Sequence, residues 1–300
     1  MRLLSSIIVL ALTLSQGFAH ESPSHTLEEL NKHISEKPTP ELLFQRALTH
    51  KALGKFDLAH KDLATATQAK PKIFAWQLER CRLELTSKRP DKALQIANAA
   101  LKLAKDCPER AEIHILRAQA YQETGKHKPA LHAYQLAFKE LPAGKIEWFI
   151  FRSESQRQLG QHDERVRGLR AGLKQFPDSI LKPQLVEALI DGGKHIEALA
   201  HIHSELPTLR FKSAWLIKRA QAKIGQKQTA EAQKDLHTAL DEINGRLNPA
   251  KPDPLLLADK AQICILLGDN NAARACLGQL KKHRAPQWIT KRLEADLSKK

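Results

Sequence analysis

The feature that most constrains the fold is a pair of small residues that stand twelve positions apart and recur along the chain. The segment RAQAYQETGKHKPALHAYQLAF, which begins at Arg117, returns from Arg219 as RAQAKIGQKQTAEAQKDLHTAL, 102 residues later. That interval is three periods of roughly 34 residues, the length of a repeat made of two helices. The spacing therefore predicts seven helix–turn–helix units, and the pairs are Ala47 with Ala59, Cys81 with Ala93, Ala118 with Ala130, Ala220 with Ala232 and Ala261 with Ala273, together with the looser Ser153 with Arg165 and Val186 with Ala198.

Each pair suits two antiparallel helices that cross at close range. A small side chain on both helices lets the backbones approach, whereas a Leu would hold them apart. Residues that favour turns lie between the members of the pairs, at Gly54, Gly125, Gly160 and Gly193. The pattern predicts an all-α fold of stacked helical hairpins.

These residues resemble the tetratricopeptide repeat family, which has a small residue in the first helix, Gly in the turn, and Ala with a large apolar residue in the second helix. The resemblance covers about Pro40 to Pro286. It implies an αα-hairpin right-handed superhelix, a solenoid of about seven repeats, over residues 40–285. Repeat arrays need terminal helices that shield their ends, and we expect cap helices within residues 20–39 and 286–300.

Sequence signals support both cap helices. Near the start, Thr26 and Glu29 have the spacing of a capping box at a helix N-terminus. Near the end, Ile289, Leu293 and Leu297 recur every four residues after Pro286, which predicts one apolar helical stripe.

Residues 1–19, MRLLSSIIVLALTLSQGFA, have the pattern of a cleaved secretory signal. A short basic start at Arg2 precedes an apolar run from Leu3 to Leu14, which is shorter than the ~20 residues that span a bilayer. We therefore expect an exported protein, periplasmic or secreted, that begins at His20 and has no transmembrane segment in the mature chain. A retained membrane anchor is the alternative.

The chain is strongly basic, with a formal net charge of +15. Such an excess favours anionic partners or surfaces. Export argues against nucleic acid as a partner, which leaves acidic proteins, acidic glycans or anionic lipid. Basic residues gather at two places, where a solvated face is the default interpretation and docking to an anionic envelope component is the alternative: Arg167, Arg170 and Lys174 on one predicted helix, and Lys281, Lys282, Arg284, Lys291, Arg292, Lys299 and Lys300 near the C-terminus.

No motif for nucleophilic, metal-dependent or phosphate-transfer catalysis occurs, so we expect neither an enzyme nor a cofactor. A metal site is one alternative function. If the mature chain begins at His20, its amine and imidazole nitrogens could chelate copper or zinc, with His25 or His33 completing the site. Among the four cysteines, helix register argues against the obvious disulfides, and Cys81 is predicted to be a buried small residue.

The tetratricopeptide resemblance also implies a partner and a place for it. In that family the first helices line a concave groove that binds a protein or peptide, so this chain would be a non-catalytic interaction scaffold. The family's clamp for a C-terminal carboxylate is not expected, since no Asn lies in the first helices of the seven units. Carried onto this sequence, the groove would be lined by Phe44, Leu48, Lys51, Leu78, Arg82, Leu85, Ile115, Gln119, Gln122, Ile150, Glu154, Arg157, Glu187 and Ile190.

One basic residue recurs directly before the small crossing residue in five units. We call this set the arginine series, and it comprises Arg46, Arg80, Arg117, Arg152 and Arg219. The preferred interpretation is that each pairs with an acid of a neighbouring helix while its stem packs. A ligand-binding row is the alternative.

Overall fold

A computed structural model of the protein describes residues 22–177 and 180–298. Within these ranges the chain forms sixteen α-helices, one short 3₁₀ turn at Leu206–Thr208 and no strand. The helices are α1 Pro23–Glu36, α2 Pro40–Ala52, α3 Phe56–Ala69, α4 Phe74–Thr86, α5 Pro90–Ala100, α6 Cys107–Glu123, α7 His127–Glu140, α8 Ile146–Gln158, α9 His162–Gln175, α10 Leu181–Asp191, α11 His195–Glu205, α12 Ser213–Gly225, α13 Thr229–Arg246, α14 Pro254–Leu267, α15 Asn270–Lys282 and α16 Gln287–Ser298.

The helices fall into two compact units, one ending at Leu159 and the other beginning at Gly160. In the N-terminal unit, α1 precedes three hairpins, α2–α3, α4–α5 and α6–α7, and α8 follows them. In the C-terminal unit, α9 precedes the hairpins α10–α11, α12–α13 and α14–α15, and α16 follows. The predicted all-α class, an array of helical hairpins with extra helices at the ends, is confirmed.

The small residues lie where the two helices of a hairpin cross. Cys81 is fully buried, and its thiol donates a hydrogen bond to the backbone carbonyl of Ala93 with the sulfur 3.3 Å from the oxygen. A side chain can reach the facing backbone in this way only if the helices are very close. Ala118 and Ala130 are likewise fully buried and belong to one core cluster. The close crossings inferred from the spacing are therefore present.

The turn inside each hairpin needs a residue in the left-handed region of backbone conformation. Gly125 fills this position in the α6–α7 hairpin with φ of 70°, where a residue without Cβ adds no strain. In the α12–α13 hairpin the position is taken by Lys227, with φ of 63°. The turn geometry is thus kept even where the glycine signal is missing from the sequence.

The first helix begins earlier than the sequence predicted. Helix α1 starts at Pro23, and the Ser22 hydroxyl caps it by accepting a hydrogen bond from the backbone N–H of His25 at 3.4 Å. Thr26 lies inside the helix and donates its hydroxyl to the carbonyl of Ser22, so the predicted capping box of Thr26 with Glu29 is wrong. Pro23 explains the difference, because proline is favoured in the first helical turn.

The last helix completes the core of the C-terminal unit. Ile289 and Leu293 of α16 are buried in a cluster with residues of α14 and α15, and Leu297 packs against it. The predicted apolar stripe therefore contacts the preceding hairpin. No helix in the described ranges is long and apolar enough to cross a membrane. The predicted signal peptide of residues 1–19 lies outside those ranges and stays a prediction.

Arg165 occupies a position where the repeat pattern calls for a small residue, yet helix α9 is regular there. The arginine is 1% exposed, and its guanidinium forms an ion pair with Asp191 at 2.6 Å and lies 3.9 Å from a carboxylate oxygen of Glu187. Both acids belong to α10. A buried charge is tolerated when paired and hydrogen-bonded, and here the acids of the next helix supply the pairing.

All four cysteines are free thiols. Cys81, Cys264 and Cys276 are buried, and Cys107 is exposed. The predicted burial of Cys81 is confirmed. Burial raises the pKa of the Cys81 thiol to about 12, so this thiol stays protonated at neutral pH.

Candidate functional site

A continuous chain of charged side chains crosses the first helices of the N-terminal unit. Lys51 of α2 contacts Glu79 of α4 at 3.0 Å, and the other carboxylate oxygen of Glu79 accepts from Arg82. Arg82 also donates to Glu112 of α6 at 3.2 Å, and Glu112 accepts from Lys145, the residue that precedes α8. Two carboxylates are therefore held between three cations across four successive first helices. We call the surface formed by these five residues and Leu48 the first-helix face.

The charges of this chain depend on one another. Burial alone would raise the pKa of Glu79, but the hydrogen bonds from Arg82 and Lys51 outweigh burial and hold the pKa below its usual value. Glu79 is therefore ionised at neutral pH, and the side chains on both sides of it are fixed in direction. Fixed ionic groups favour a partner with a complementary charge pattern and disfavour others.

Apolar groups lie beside the charged chain. Phe44 stacks on Trp76 of the next first helix, with ring centroids 4.9 Å apart and an interplanar angle of 12°. Leu48, one turn further along α2, is 37% exposed. Leu78 is half-buried against the core cluster of the second hairpin. Leu48 is thus the one of these three whose apolar surface is available to a partner, while Phe44 and Leu78 support the fold beneath it.

Two residues that the family resemblance assigned to the groove have their side chains engaged by the protein itself. Ile115 is 4% exposed and belongs to the core cluster of the third hairpin. The amide nitrogen of Gln122 donates to the carbonyl of Phe151 and the hydroxyl of Ser155, both at 2.7 Å, and its oxygen accepts from the Tyr134 hydroxyl at 2.5 Å. Gln122 therefore joins α6 to α7 and α8, and neither side chain is free to meet a partner.

The remaining predicted groove residues are less central to the charged chain. Gln119 and Ile150 are half-buried. Glu154 is exposed and forms two hydrogen bonds with Arg157 on the same helix, at 2.6 and 2.9 Å. Glu79, Glu112 and Lys145, by contrast, were missed by the sequence reasoning. Their spacing follows no fixed register in the repeat, so the sequence holds no signal for them beyond their placement at first helices.

The arginine series divides into paired and unpaired members. Arg46 and Arg219 each form two hydrogen bonds with an aspartate sixteen residues later, Asp62 and Asp235. The other three have no carboxylate within ion-pair distance among the described residues: Arg80, Arg117 and Arg152. The predicted pairing with acids therefore holds for two of the five.

Arg152 contacts aromatic rings where Arg46 and Arg219 contact an aspartate. Its guanidinium lies over the ring of Phe138, 4.4 Å from the centroid, and 5.4 Å from that of Phe149. Burial lowers the pKa of Arg152, which is the expected cost of taking a cation out of water. Aromatic rings offset part of that cost through cation–π attraction.

The two basic surfaces predicted from the sequence are partly neutralised. On α9, Arg167 pairs with Glu164 at 2.8 Å and Arg170 pairs with Glu197. Near the C-terminus, Lys281 pairs with Glu294 at 2.7 Å and Arg292 with Glu187 at 2.8 Å. These acids come from several different helices. The number of basic residues in each stretch of sequence is therefore larger than the net positive charge of the surface they form.

One histidine lies between an acid and a serine, an arrangement that also occurs in the catalytic triads of hydrolases. The ring of His60 lies 3.4 Å from a carboxylate oxygen of Glu84 and 2.9 Å from the hydroxyl of Ser87. An acyl-transfer site also needs N–H donors for the oxyanion. The backbone N–H groups of Ser87, Lys88 and Arg89 all donate to carbonyls of α4, so the backbone here supplies no such donor. The three side chains instead connect α3 to the end of α4.

The metal-site alternative is not tested by the geometry. His20 lies outside the described residues, and His25 lies in the first turn of α1. Within residues 22–177 and 180–298, no three His, Cys, Asp or Glu side chains are grouped closely enough to hold a metal ion. The N-terminal chelate remains a prediction.

No protein-family model matches the chain, and no curated protein matches its sequence. Solved structures do match the fold. A tetratricopeptide repeat protein from Parabacteroides merdae has a TM-score of 0.65 at 16% identity, covering 86% of this chain and 98% of its own. MamA from Desulfovibrio magneticus, from residue 41 onward, has a TM-score of 0.50 at 21% identity, covering 57% of this chain and 96% of its own.

A third match is YrrB, a tetratricopeptide repeat protein with an unusual peptide-binding site. Its TM-score is 0.50 at 15% identity, and the match covers 60% of this chain and 91% of YrrB. Likeness at these identities concerns the fold. The chain therefore has the tetratricopeptide repeat fold, which confirms the resemblance found in its sequence.

Proposed function

We propose that this protein is a non-catalytic interaction scaffold, and that it binds a peptide segment of a partner protein on the first-helix face. The observation that supports this most directly is the charged chain from Lys51 to Lys145. It holds ionic groups in fixed directions on four successive helices, beside the exposed side chain of Leu48. A preformed surface of this kind lowers the ordering cost of binding.

The pattern of charges defines the kind of peptide. Cations stand at both ends and in the middle of the chain, and the two carboxylates between them are already paired. The side chains of Lys51 and Lys145 at the ends are 30% and 51% exposed. A segment that carries acidic residues and an apolar one would complement this surface. Peptide binding by YrrB, which has the same fold, is consistent with the proposal.

Site-specific photo-crosslinking tests the proposal. A photoreactive amino acid at Leu48 should capture a partner in the cells that make the protein. The matched control is Leu58, which is 48% exposed on α3, the second helix of the same hairpin. Capture from position 48 and not from position 58 is the expected result. Equal capture from both positions, or none from position 48, would contradict peptide binding at this face.

Charge reversal then tests the ionic chain with the captured partner. Arg82→Glu removes the cation that joins Glu79 to Glu112 and should weaken binding roughly tenfold, the scale of one hydrogen bond to a charged group. Arg167→Glu is the control, because it makes the same charge change on α9, in the other unit. Thermal unfolding of both variants must stay cooperative. Unchanged affinity of the Arg82→Glu variant would remove the ionic chain from the binding surface.

We also propose that the protein is exported, on the pattern of residues 1–19. The N-terminal mass of the protein made in its own cells tests this proposal. A mature chain that starts at His20 supports export and leaves the metal chelate testable by copper titration. A chain that retains residues 1–19 would contradict cleavage.

A further inference from the structure

The C-terminal unit contains a cleft of about 270 Å³ between the first helices α10, α12 and α14 and the last helix α16. Its volume is near the lower end for small-molecule sites. Aliphatic side chains form part of its wall, including Leu255 and Ile289, and charged side chains reach into it from all four helices. A semi-enclosed cleft in which polar groups converge beside apolar surface is a common form of ligand site.

Most of the charges that line the cleft are already paired. Glu187 accepts from Arg292 of α16 at 2.8 Å, and Asp191 pairs with Arg165 at 2.6 Å. These contacts hold α9 and α16 to α10. They have a structural explanation and need no ligand.

Two charged side chains in the cleft take no part in these short ion pairs between helices. The carboxyl of Asp259 on α14 has no hydrogen bond and no ion pair with any residue that the structure describes. The ammonium of Lys218 on α12 makes no hydrogen bond there either, and its nearest carboxylate oxygen, on Glu187, is 3.9 Å away. Both side chains are partly buried, and 21% of the Lys218 side chain is exposed.

Burying these two charges without a hydrogen bond is costly for the fold. Burial raises the pKa of Asp259 to about 6, and burial lowers the pKa of Lys218. Both shifts mean that the charged form is less stable here than in water. Residues that weaken the fold in this way, inside a cleft, are typical of sites that bind a ligand.

Lys218 and Asp259 lie on neighbouring first helices and carry opposite charges, yet they do not form an ion pair with each other. A ligand that satisfies both must present an anionic acceptor to the ammonium and a cationic donor to the carboxylate. A free amino acid carries both groups on one carbon atom. The apolar part of the wall suits an aliphatic side chain, and glutamine amides from three helices add further hydrogen-bonding groups: Gln184, Gln221 and Gln262.

We propose that this cleft binds a small aliphatic amino acid, whose carboxylate contacts Lys218 and whose ammonium contacts Asp259. The site lies in the C-terminal unit and is independent of the first-helix face proposed above. A tetratricopeptide repeat unit would thereby carry a receptor for a free zwitterion in addition to its surface for a partner protein.

Isothermal titration calorimetry with L-leucine and its two half-analogues tests the proposal on the full-length protein. Leucine should bind, whereas 3-methylbutylamine, which lacks the carboxylate, and 4-methylpentanoate, which lacks the ammonium, should each bind at least roughly tenfold more weakly. No binding of leucine at millimolar concentration would overturn the proposal. Equal binding of leucine and one half-analogue would also overturn it, since a single charge would then be enough.

Two substitutions assign the ends of the ligand. Asp259→Asn should weaken leucine and 3-methylbutylamine but leave 4-methylpentanoate unchanged, and Lys218→Met should do the reverse for the two analogues. Asp241→Asn and Lys234→Met are matched controls, because both side chains are exposed on α13 outside the cleft. If the Lys218→Met variant fails to fold, the binding of leucine and its analogues to the Asp259→Asn variant and to the wild type still tests the proposal. Leucine binding that is unchanged in the Asp259→Asn variant would overturn the proposal.

Discussion

The guanidinium of Arg219 and the carboxylate of Asp235 form a bidentate ion pair between α12 and α13, with Nε–Oδ2 and Nη2–Oδ1 distances of 2.8 and 2.6 Å. Lys223, one turn after the arginine, contacts the same carboxylate at 2.8 Å. The first hairpin builds the same arrangement with Arg46, His50 and Asp62. A cation, a second basic group four residues on, and an aspartate after sixteen therefore form one recurring device that joins the two helices of a hairpin.

The first prediction concerns this device. Asp235 is 4% exposed, and Asp235→Ala would leave Arg219 and Lys223 without their acid, so we expect a loss of about 3 kcal/mol in the free energy of unfolding. The double variant Arg219→Met/Asp235→Leu should lose less, because only one cation, Lys223, is then left without its acid. Urea denaturation measures both. A double variant as unstable as the single one would contradict the ion-pair explanation.

The same aspartate predicts a pH effect. Burial alone would raise the pKa of Asp235, but hydrogen bonds from Arg219 and Lys223 outweigh burial and lower it. A lowered folded-state pKa gives stability that is present above the unfolded-state value and is lost as the pH falls through the folded-state value. The wild-type protein should therefore lose stability in acid more steeply than the Asp235→Ala variant, as measured by urea midpoints across the acid range.

Asp259 should have the opposite effect. Its pKa is raised by burial from 3.8 to about 6, so the folded state holds the proton more tightly and this residue lowers stability as the pH rises from about 4 to 6. The shift corresponds to about 2–3 kcal/mol. Asp259→Asn should raise the stability at pH 7 and leave it unchanged near pH 3. A variant that is less stable than the wild type at pH 7 would show that the carboxylate supports the fold.

The fourth prediction concerns the contact between successive hairpins of the C-terminal unit. A Cβ added at Gly225 would overlap the imidazole of His195, which lies in the preceding hairpin. Gly225→Ala should therefore cost about 1–3 kcal/mol, the usual range for overpacking, and His195→Ala should restore most of that loss. Gly245→Ala is the control, since no atom lies within 4 Å of its added Cβ and alanine favours a helix by up to about 1 kcal/mol.

The fifth prediction concerns the thiols. Cys107 is exposed, and the other three are buried with pKa values raised mainly by burial. In the folded protein, 5,5′-dithiobis(2-nitrobenzoate) should react quickly with one thiol, and the remaining three should react only on unfolding. Cys107→Ser should abolish the fast phase. A fast phase that survives this substitution would mean that a buried thiol is accessible.

How far the sequence predicts the structure depends on whether a residue acts inside one repeat or across repeats. Pairs such as Cys81 and Ala93 were predictable because a close helix crossing leaves room for only small side chains. The aspartates at positions 62 and 235 could have been found by the same spacing, since each stands sixteen residues after a member of the arginine series. The helix crossings and these Arg–Asp pairs can therefore be predicted from the sequence.

The binding face was less predictable. Ile115 and Gln122 lie on a first helix, as the groove assignment required, but one helical position corresponds to about 100° of rotation. Ile115 is buried, and the amide of Gln122 is bonded to the neighbouring helices. The ionic chain depends on long side chains that meet across helices about thirty residues apart in sequence. Which lysine reaches which glutamate is decided by the stacking of hairpins. The repeat pattern of the sequence does not predict these contacts between hairpins.

The Arg–Asp pair joins two helices of the same hairpin, and this affects how the chain can gain repeats by gene duplication. A gene duplication that copies α12 and α13 together copies the aspartate with its arginine, so the new hairpin enters the stack with its buried charge already neutralised. Arg165 has its acids in the following hairpin, and a copy of α9 inserted elsewhere would carry an uncompensated cation into the interior. Hairpins of the first kind are free to multiply during evolution, whereas the position of α9 is tied to that of its neighbour.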